Sequence, residues 1–321
     1  MKLLIQIPCR NEEDTLPTTL AQLPRSLPGV GRVEWLIVDD GSTDRTVEVA
    51  RAAGVDHVVS FPTHQGLARA FAAGLEACVA AGADIVVNTD ADNQYEAACI
   101  PDLIAPILAG RAEIVVGARP IDEIRDFSPV KKLLQKLGSW SVRQASGTRV
   151  ADSPSGFRAF TREAALRLNV FSEYTYTLET VIQAGQKNIP ITSVPIRTNP
   201  SVRPSRLVRS VPSYVRRSIG TIARIFMLYR PLRFFFWAGL LPVGGGVALG
   251  VRWLALFFLE DAQRTRAPSL ILAAVLLLAG FQLWTFGLVA DLMAANRVLL
   301  EDVQLRLRRS EAERTRGGAG R

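Results

Sequence analysis

The chain has 321 residues, enough for two domains, with 48% hydrophobic and 21% charged residues, which excludes a disordered or low-complexity protein. Its net charge of +8 is unevenly placed: residues 1–200 carry 20 basic against 23 acidic side chains, and residues 201–321 carry 18 against 7. The basic excess sits beside apolar C-terminal segments, which is the pattern of a membrane surface and not of a nucleic-acid partner.

The opening run, Met1–Pro8, is cut short by Arg10, Asn11, Glu12 and Glu13, so it does not read as a signal peptide. The first domain is accordingly expected in the cytoplasm. Short apolar runs at Leu3–Ile7, Val33–Val38, His57–Ser60, Ile85–Asn88 and Ile114–Val116 alternate with amphipathic stretches near 14–27, 43–53, 66–81 and 99–110. Nearly all-apolar strands alternating with helices predict an α/β domain whose mostly parallel sheet is covered on both faces. Cys9, Cys78 and Cys99 form no CxxC pair, and His57 and His64 are the only imidazoles, which argues against a disulfide scaffold and a zinc site.

Sheets of this kind bind ligands at the carboxyl ends of their strands. Four runs end in polar groups: Pro8-Cys9-Arg10-Asn11-Glu12-Glu13, Asp39-Asp40-Gly41-Ser42-Thr43-Asp44, Asp90-Ala91-Asp92-Asn93-Gln94 and Gly117-Ala118-Arg119. Capping of the next helix is an equal alternative for Ser42 and Asp44. It does not account for Asp90 and Asp92 together, because neighbouring anions repel unless a cation lies between them. An Asp-x-Asp after a buried strand suits Mg²⁺ or Mn²⁺, and Gln94 could add a carbonyl oxygen.

Beyond residue 200 the texture changes. Residues 201–233 hold eight arginines and no acidic residue, interleaved with apolar side chains, as in basic amphipathic juxtamembrane helices at a lipid headgroup layer. Phe234–Leu259, interrupted only by Arg252, and the uncharged Ser269–Ala290 are each long enough to cross a hydrocarbon core at ~1.5 Å per residue. The linker Glu260–Ala267 is short, so a helical hairpin is expected. Its two arginines, against eight before the first span and seven from Arg297 onward, put both termini in the cytoplasm. Gly244–Gly246 reads as a close packing contact or a kink. The expected division is residues 1–200 catalytic, 201–233 juxtamembrane, 234–293 spanning and 294–321 a charged tail. That tail is read as either a homo-oligomer contact or a solvated end.

Pro8-x-x-Asn11-Glu12, Val38-Asp39-Asp40-Gly41-Ser42-Thr43-Asp44, Asp90-Ala91-Asp92-x-Gln94 and Ser155-Gly156-Phe157-Arg158 resemble the motifs of family 2 glycosyltransferases of GT-A fold. Within that family the likeness is to dolichol-phosphate mannose synthases and their bacterial polyprenyl-phosphate relatives, and it covers about residues 1–230. The resemblance implies that Pro8, Arg10, Glu12, Val38, Asp40 and Gly66 line a nucleotide-sugar pocket. Asp90, Ala91, Asp92 and Gln94 would hold the metal and diphosphate. Arg119 would meet the donor phosphates or the acceptor phosphate, and Lys131, Lys132, Gln135, Arg203 and Arg206 the phosphate of a polyprenyl lipid. Asp92, Arg119 and Lys131 are the implied catalytic groups. Two departures stand out: Arg10 replaces a tyrosine beside the nucleoside, which leaves the base open, and Pro200 stands where an arginine is expected. Arg197 or Arg203 would then substitute.

These roles agree with elementary chemistry. A cation and Arg119 would stabilise charge developing on a diphosphate leaving group. A lipid phosphate is already ionised near neutral pH and needs positioning cations and no base. Attack from the face opposite the diphosphate inverts the anomeric carbon. Competing readings are a family 2 transferase acting on a lipid or polysaccharide hydroxyl, and a non-catalytic membrane scaffold. Asp152 is read as ordering the acceptor loop or ending a turn, Glu179 as touching sugar or acceptor loop, His64 as a surface residue and Tyr176 as packing.

Overall fold

A computed structural model describes residues 1–120, 129–170, 176–200, 220, 223–224, 227, 229–259 and 267–318. Its sheet has seven strands: β1 (Lys2–Cys9), β2 (Arg32–Asp39), β3 (His57–Ser60), β4 (Ile85–Asn88), β5 (Ile114–Ala118), β6 (Arg158–Thr161) and β7 (Ile191–Pro195). Their spatial order is β3-β2-β1-β4-β6-β5-β7. All neighbours pair parallel except β6, which runs antiparallel to both β4 and β5. The five strands expected from apolar runs are present, and β6 and β7 add to them.

β1 is the middle of the parallel half and is buried from Leu3 to Cys9, which is why its sequence shows no alternation. One face of the sheet packs Leu3, Ile5, Ile7 and Trp35 against α1 (Leu16–Gln22) and α4 (Ile100–Leu108). The other packs Leu4, Leu36, Val38 and Phe160 against α3 (Leu67–Ala80), through Phe71 and Leu75. Helix α2 (Thr46–Ala52) follows β2, α5 (Pro129–Ser146) follows β5, and α6 (Arg162–Arg167) and α7 (Thr177–Gln186) follow β6. Cys9, Cys78 and Cys99 are buried and unpaired.

By its internal contacts the chain divides into two units, Met1–Ser218 with Val303–Arg321, and Ile219–Asp302. The second is built from α8 (Pro231–Leu259) and the start of α9 (Ala267–Gly318). Both are long and apolar enough to cross a membrane. Exposed Trp237, Leu241, Phe258, Ile271, Phe281 and Leu292 give them an apolar exterior. The second helix runs on unbroken from the uncharged segment ending at Ala290 into the charged tail, because no Gly or Pro interrupts the chain between Gly287 and Gly317. Its end belongs to the first unit: Leu305 packs against the α3 core, Arg308 bonds Leu168 O, Asn169 Oδ1 and Glu76, and Arg309 pairs with Glu163. A tail that is merely solvated does not describe it.

Within the two-helix unit, backbones approach where side chains are absent. Of the three consecutive glycines, Gly246 makes the close contact, since a Cβ there would lie 2.9 Å from Ala273 O, whereas Gly244 faces open space. A Cβ on Gly280 would lie 2.9 Å from Gly239 O and against the Val243 side chain. The Trp284 indole donates to Phe236 O at 3.2 Å alongside. Gly280→Leu is therefore expected to push the helices apart and lower the melting temperature in detergent, with a cost of about 1–3 kcal/mol. Gly244→Leu is the matched control, expected to melt like the parent.

Candidate active site

The carboxyl ends of β1, β2 and β4 carry three loops, and the first two of these hydrogen-bond to one another. Asn11 takes a left-handed conformation (φ 52°), its N–H donates to Ser42 Oγ at 3.0 Å, and its Oδ1 accepts from Thr43 N at 2.9 Å. Glu12 N donates to Thr46 Oγ1 and Glu13 N to Asp44 Oδ2. Asp44 also accepts from Thr46 N, the first residue of α2, and so ties the two loops to the start of that helix. Burial would raise its carboxyl, but the Thr46 hydrogen bonds hold it below the usual range. Ser42 N donates to Asp39 Oδ1.

Asp40, buried at the end of β2, is occupied by the loop after β3. Its carboxylate accepts from Gln65 N at 2.7 Å and Gly66 N at 3.0 Å, and lies 2.7 Å from His64 Nδ1. Gly66 has φ +98°, a conformation that favours glycine, and so its amide can reach Asp40. His64 is half-exposed, yet it is fixed by Asp40, a role its sequence neighbours do not signal. Pro8 on β1, Glu12 just after it, Val38 on β2 and Ala91 in the β4 loop are buried, while Arg10 is exposed. Thr15 Oγ1 donates to Glu12.

Asp90 and Asp92 follow β4 on a turn whose next residue, Asn93, is left-handed (φ 55°). Gln94 N donates to Asp92 Oδ1 at 3.1 Å, which fixes the rotation of that carboxylate. A Cβ on Gly156 would meet Asp90 Oδ1 and the Tyr176 hydroxyl, each at 3.0 Å, so the missing side chain makes room for the Asp90 carboxyl. Burial, and then the neighbouring charge of Asp92, push the Asp90 carboxyl up to about 7, against the pull of Arg119 and a Tyr95 hydrogen bond. Glu12 also raises it, so Asp90, Asp92, Arg119 and Glu12 share one electrostatic neighbourhood. Two carboxylates that cannot comfortably ionise together are what a divalent cation relieves. Among the described residues no cluster of three or more His, Cys, Asp or Glu is arranged to hold a metal. The pair fits an ion whose remaining positions are filled by water and phosphate.

Arg119, just past β5, forms a fork with Asp152: Nε to Oδ2 at 2.7 Å and Nη2 to Oδ1 at 3.1 Å, with its backbone N on Oδ2 at 3.2 Å. Its side chain is only 7% exposed. Asp152 thus orders the loop through Arg119 and does more than end a turn. Behind the carboxylates, Asn88 Nδ2 donates to Gly156 O (2.8 Å) and Tyr176 OH (2.9 Å), and Gln6 Nε2 donates to Asn88 Oδ1 (2.8 Å). Tyr176 stacks on Phe71, and Gly156 N donates to Tyr95 OH, whose ring stacks on Phe157. Tyr176 therefore packs and bonds at once. Arg158, on β6 and fully buried, donates to Ser155 O and Ser153 O and to the Thr180 hydroxyl. Glu179, buried at the start of α7, accepts a long bond from Gln183 at 3.5 Å.

The structure thus brings Asp90, Asp92 and Arg119 into one electrostatic neighbourhood, and it places Arg197 on the surface, forked onto Glu96. The side chains of Lys131, Lys132 and Gln135, all of Arg203 and Arg206, and most of the 201–233 segment lie outside the described residues.

Residues 4–171, just over half the chain, match the family model described as Glycosyl transferase family 2. An undecaprenyl-phosphate mannosyltransferase of Micrococcus luteus is 28% identical over 206 residues, covering 61% of this chain and 83% of its own. A UDP-N-acetylglucosamine–dolichyl-phosphate N-acetylglucosaminyltransferase of Methanococcus voltae is 30% identical over 217 residues, covering 60% and 83%. A crystal structure of glucosyl-3-phosphoglycerate synthase from Mycobacterium tuberculosis with Mn²⁺ and UDP-glucose superposes with a TM-score of 0.55 at 22% identity, covering 70% of this chain and 78% of that one. At that identity the likeness shows the GT-A fold.

Proposed function

Since the chain belongs to glycosyl transferase family 2, we propose that it transfers one hexosyl unit, with inversion, from GDP-mannose or a UDP-hexose to a polyprenyl phosphate at the cytoplasmic face of a membrane. The observation that carries this reading is the pairing of Asp90 with Asp92 beside Arg119, with the Asp90 carboxyl pushed up to about 7. Asp90 and Asp92, with Gln94 adjoining, would hold Mg²⁺ or Mn²⁺, which when bound supplies positive charge to a diphosphate leaving group. Arg119, held rigid by Asp152, presents a fixed cation to the same phosphates. Asp40, tied to the Gly66 loop, shapes the floor of the nucleoside pocket.

The acceptor reading draws on the lipid-phosphate substrates in the relatives' names and on the eight arginines of residues 201–233. Arg203, Arg206, Lys131 and Lys132 would hold a phosphate that already carries the charge needed for attack. The two apolar helices would cross the bilayer as a hairpin with both termini cytoplasmic. The test is the full chain in detergent with UDP- and GDP-sugars, Mn²⁺ or Mg²⁺, and undecaprenyl phosphate. Transfer to the lipid from one donor class, abolished by chelator and restored by the metal, is the expected result. Transfer only to a hydroxyl-terminated lipid, or transfer indifferent to chelator, rejects the proposal.

A further inference from the structure

The stretch that leaves β7 does not simply run off the sheet. Ile196 N donates to Ala118 O, and its side chain is buried against Gly117, two residues from Arg119. Glu96 N then donates to Arg197 O, Thr198 forms an antiparallel bridge with Tyr95, and Arg197 forks onto Glu96. At the end of this short ribbon Asn199 makes two bonds to the acidic turn. Its backbone N–H donates to Gln94 O at 2.9 Å, and its Nδ2 donates to Asn93 O at 2.9 Å. Those carbonyls belong to the two residues directly after Asp92, one of which is left-handed, and Gln94 N in turn fixes the Asp92 carboxylate. A single residue therefore closes the turn that aims Asp92, its backbone on Gln94 O and its side chain on Asn93 O.

Pro200 follows. A proline restricts the preceding residue to the extended region, so Asn199 is held in the conformation that the ribbon needs before any ligand arrives. The proline at this position, unexpected for the family, thus acts on the backbone of Asn199.

We propose that Asn199 is a positioning residue for the divalent cation, acting through the Asn93–Gln94 turn on Asp92, with Pro200 pre-setting its backbone. The inference rests on the reading of Asp90 and Asp92 as cation ligands. Outer groups that orient a ligand typically matter for affinity by about 10-fold or more.

The experiment is Mn²⁺ binding to the full chain in detergent, followed by the electron paramagnetic resonance signal of free Mn²⁺ with no nucleotide or lipid present. Asn199→Ala is expected to weaken Mn²⁺ binding by roughly tenfold while melting in chelator like the parent. Asn199→Gln, which restores an amide donor, should recover part of the loss, and Pro200→Ala should show a smaller loss of the same kind. Arg197→Ala, which removes only the ion pair on the same ribbon, should leave Mn²⁺ binding unchanged. Equal Mn²⁺ affinity in Asn199→Ala and parent overturns the inference and leaves the proposed function standing. A parent chain that binds no Mn²⁺ overturns both. Should Asn199→Ala fail to fold, parent-like Mn²⁺ affinity in Asn199→Leu, which keeps the side chain's volume and removes its donor, overturns the inference just as well.

Discussion

Replacing Asp90 by Asn is expected to abolish transfer, by roughly a thousandfold or more, and at the same time to make the cation-free protein harder to melt above pH 7. The two effects have one cause. The Asp90 carboxyl sits beside Asp92 in a buried site and titrates near 7 in the folded chain, against 3.8 for the ordinary side chain. Between those values the folded state holds a proton that the unfolded state has released. Stability in chelator therefore falls as pH rises from about 4 to about 7, and the deficit is complete above that window. Asparagine mimics the protonated acid and escapes the cost, which is on the order of 2–4 kcal/mol at pH 8. Melting curves in chelator at pH 5 and pH 8 check this: the variant's advantage over the parent is small at the lower pH and larger at the higher, and it closes only as the pH falls below about 4. Added Mn²⁺ should raise the parent's melting temperature and leave the variant's unmoved, because only a state that binds the ion is stabilised by it. A variant that melts below the parent at pH 8 in chelator would show that Asp90 is not under electrostatic strain. Asp92→Ala should lose transfer to the same extent.

What could be read from the sequence was whatever has a local signature. The runs His57–Ser60 and Ile85–Asn88 coincide with β3 and β4 because both are short, apolar and bounded by charged or turn residues. β6 gave no such signal. It is four residues long, begins with arginine, and owes its place between β4 and β5 to antiparallel pairing with segments tens of residues away. The acidic turn was legible because two carboxylates one residue apart after a buried strand repel each other unless a cation joins them. The groups that tune it were not: Asp152 reaches Arg119 across 33 residues, and Asn199 reaches Asn93 across 106. His64 reads as a surface residue by composition, and only the fold brings its ring to Asp40. The end of α9 shows the converse limit. Its charged sequence reads as either an oligomer contact or a solvated end, and the few apolar positions such as Leu305 that seat it on the α3 core do not stand out among the arginines.

Arg158 carries the second large expectation. A buried arginine is costly: burial first, and then the neighbouring Arg119 charge, pull its pKa down to about 10 against the Tyr176, Tyr95 and Asp152 side chains, so at neutral pH it remains a cation whose hydrogen bonds go to carbonyls and a hydroxyl. Replacing a buried ion by an apolar residue of similar volume is neutral or stabilising in some proteins. Here the balance goes the other way, because the guanidinium answers three acceptors: Ser155 O at 2.8 Å, Ser153 O at 2.6 Å and the Thr180 hydroxyl. Both carbonyls belong to the loop between Asp152 and Gly156, whose ends hold Arg119 and make room for Asp90. Arg158→Met removes every donor and strands two buried carbonyls, at roughly 1–3 kcal/mol each, which outweighs the relief of desolvating one charge. A net loss of about 3–5 kcal/mol is expected in denaturant unfolding of the full chain in detergent. Arg158→Lys should fall between the two, since an ammonium on a flexible stem cannot span three acceptors set out in a fork. Transfer should fall further than stability explains in both variants, with the loss in kcat, because a slack Ser153–Ser155 loop lets Asp152 release Arg119 from its fixed aim. Unfolding midpoints for Arg158→Met that match the parent would mean that the loop is held by its backbone alone and that the buried cation has no structural part in the site.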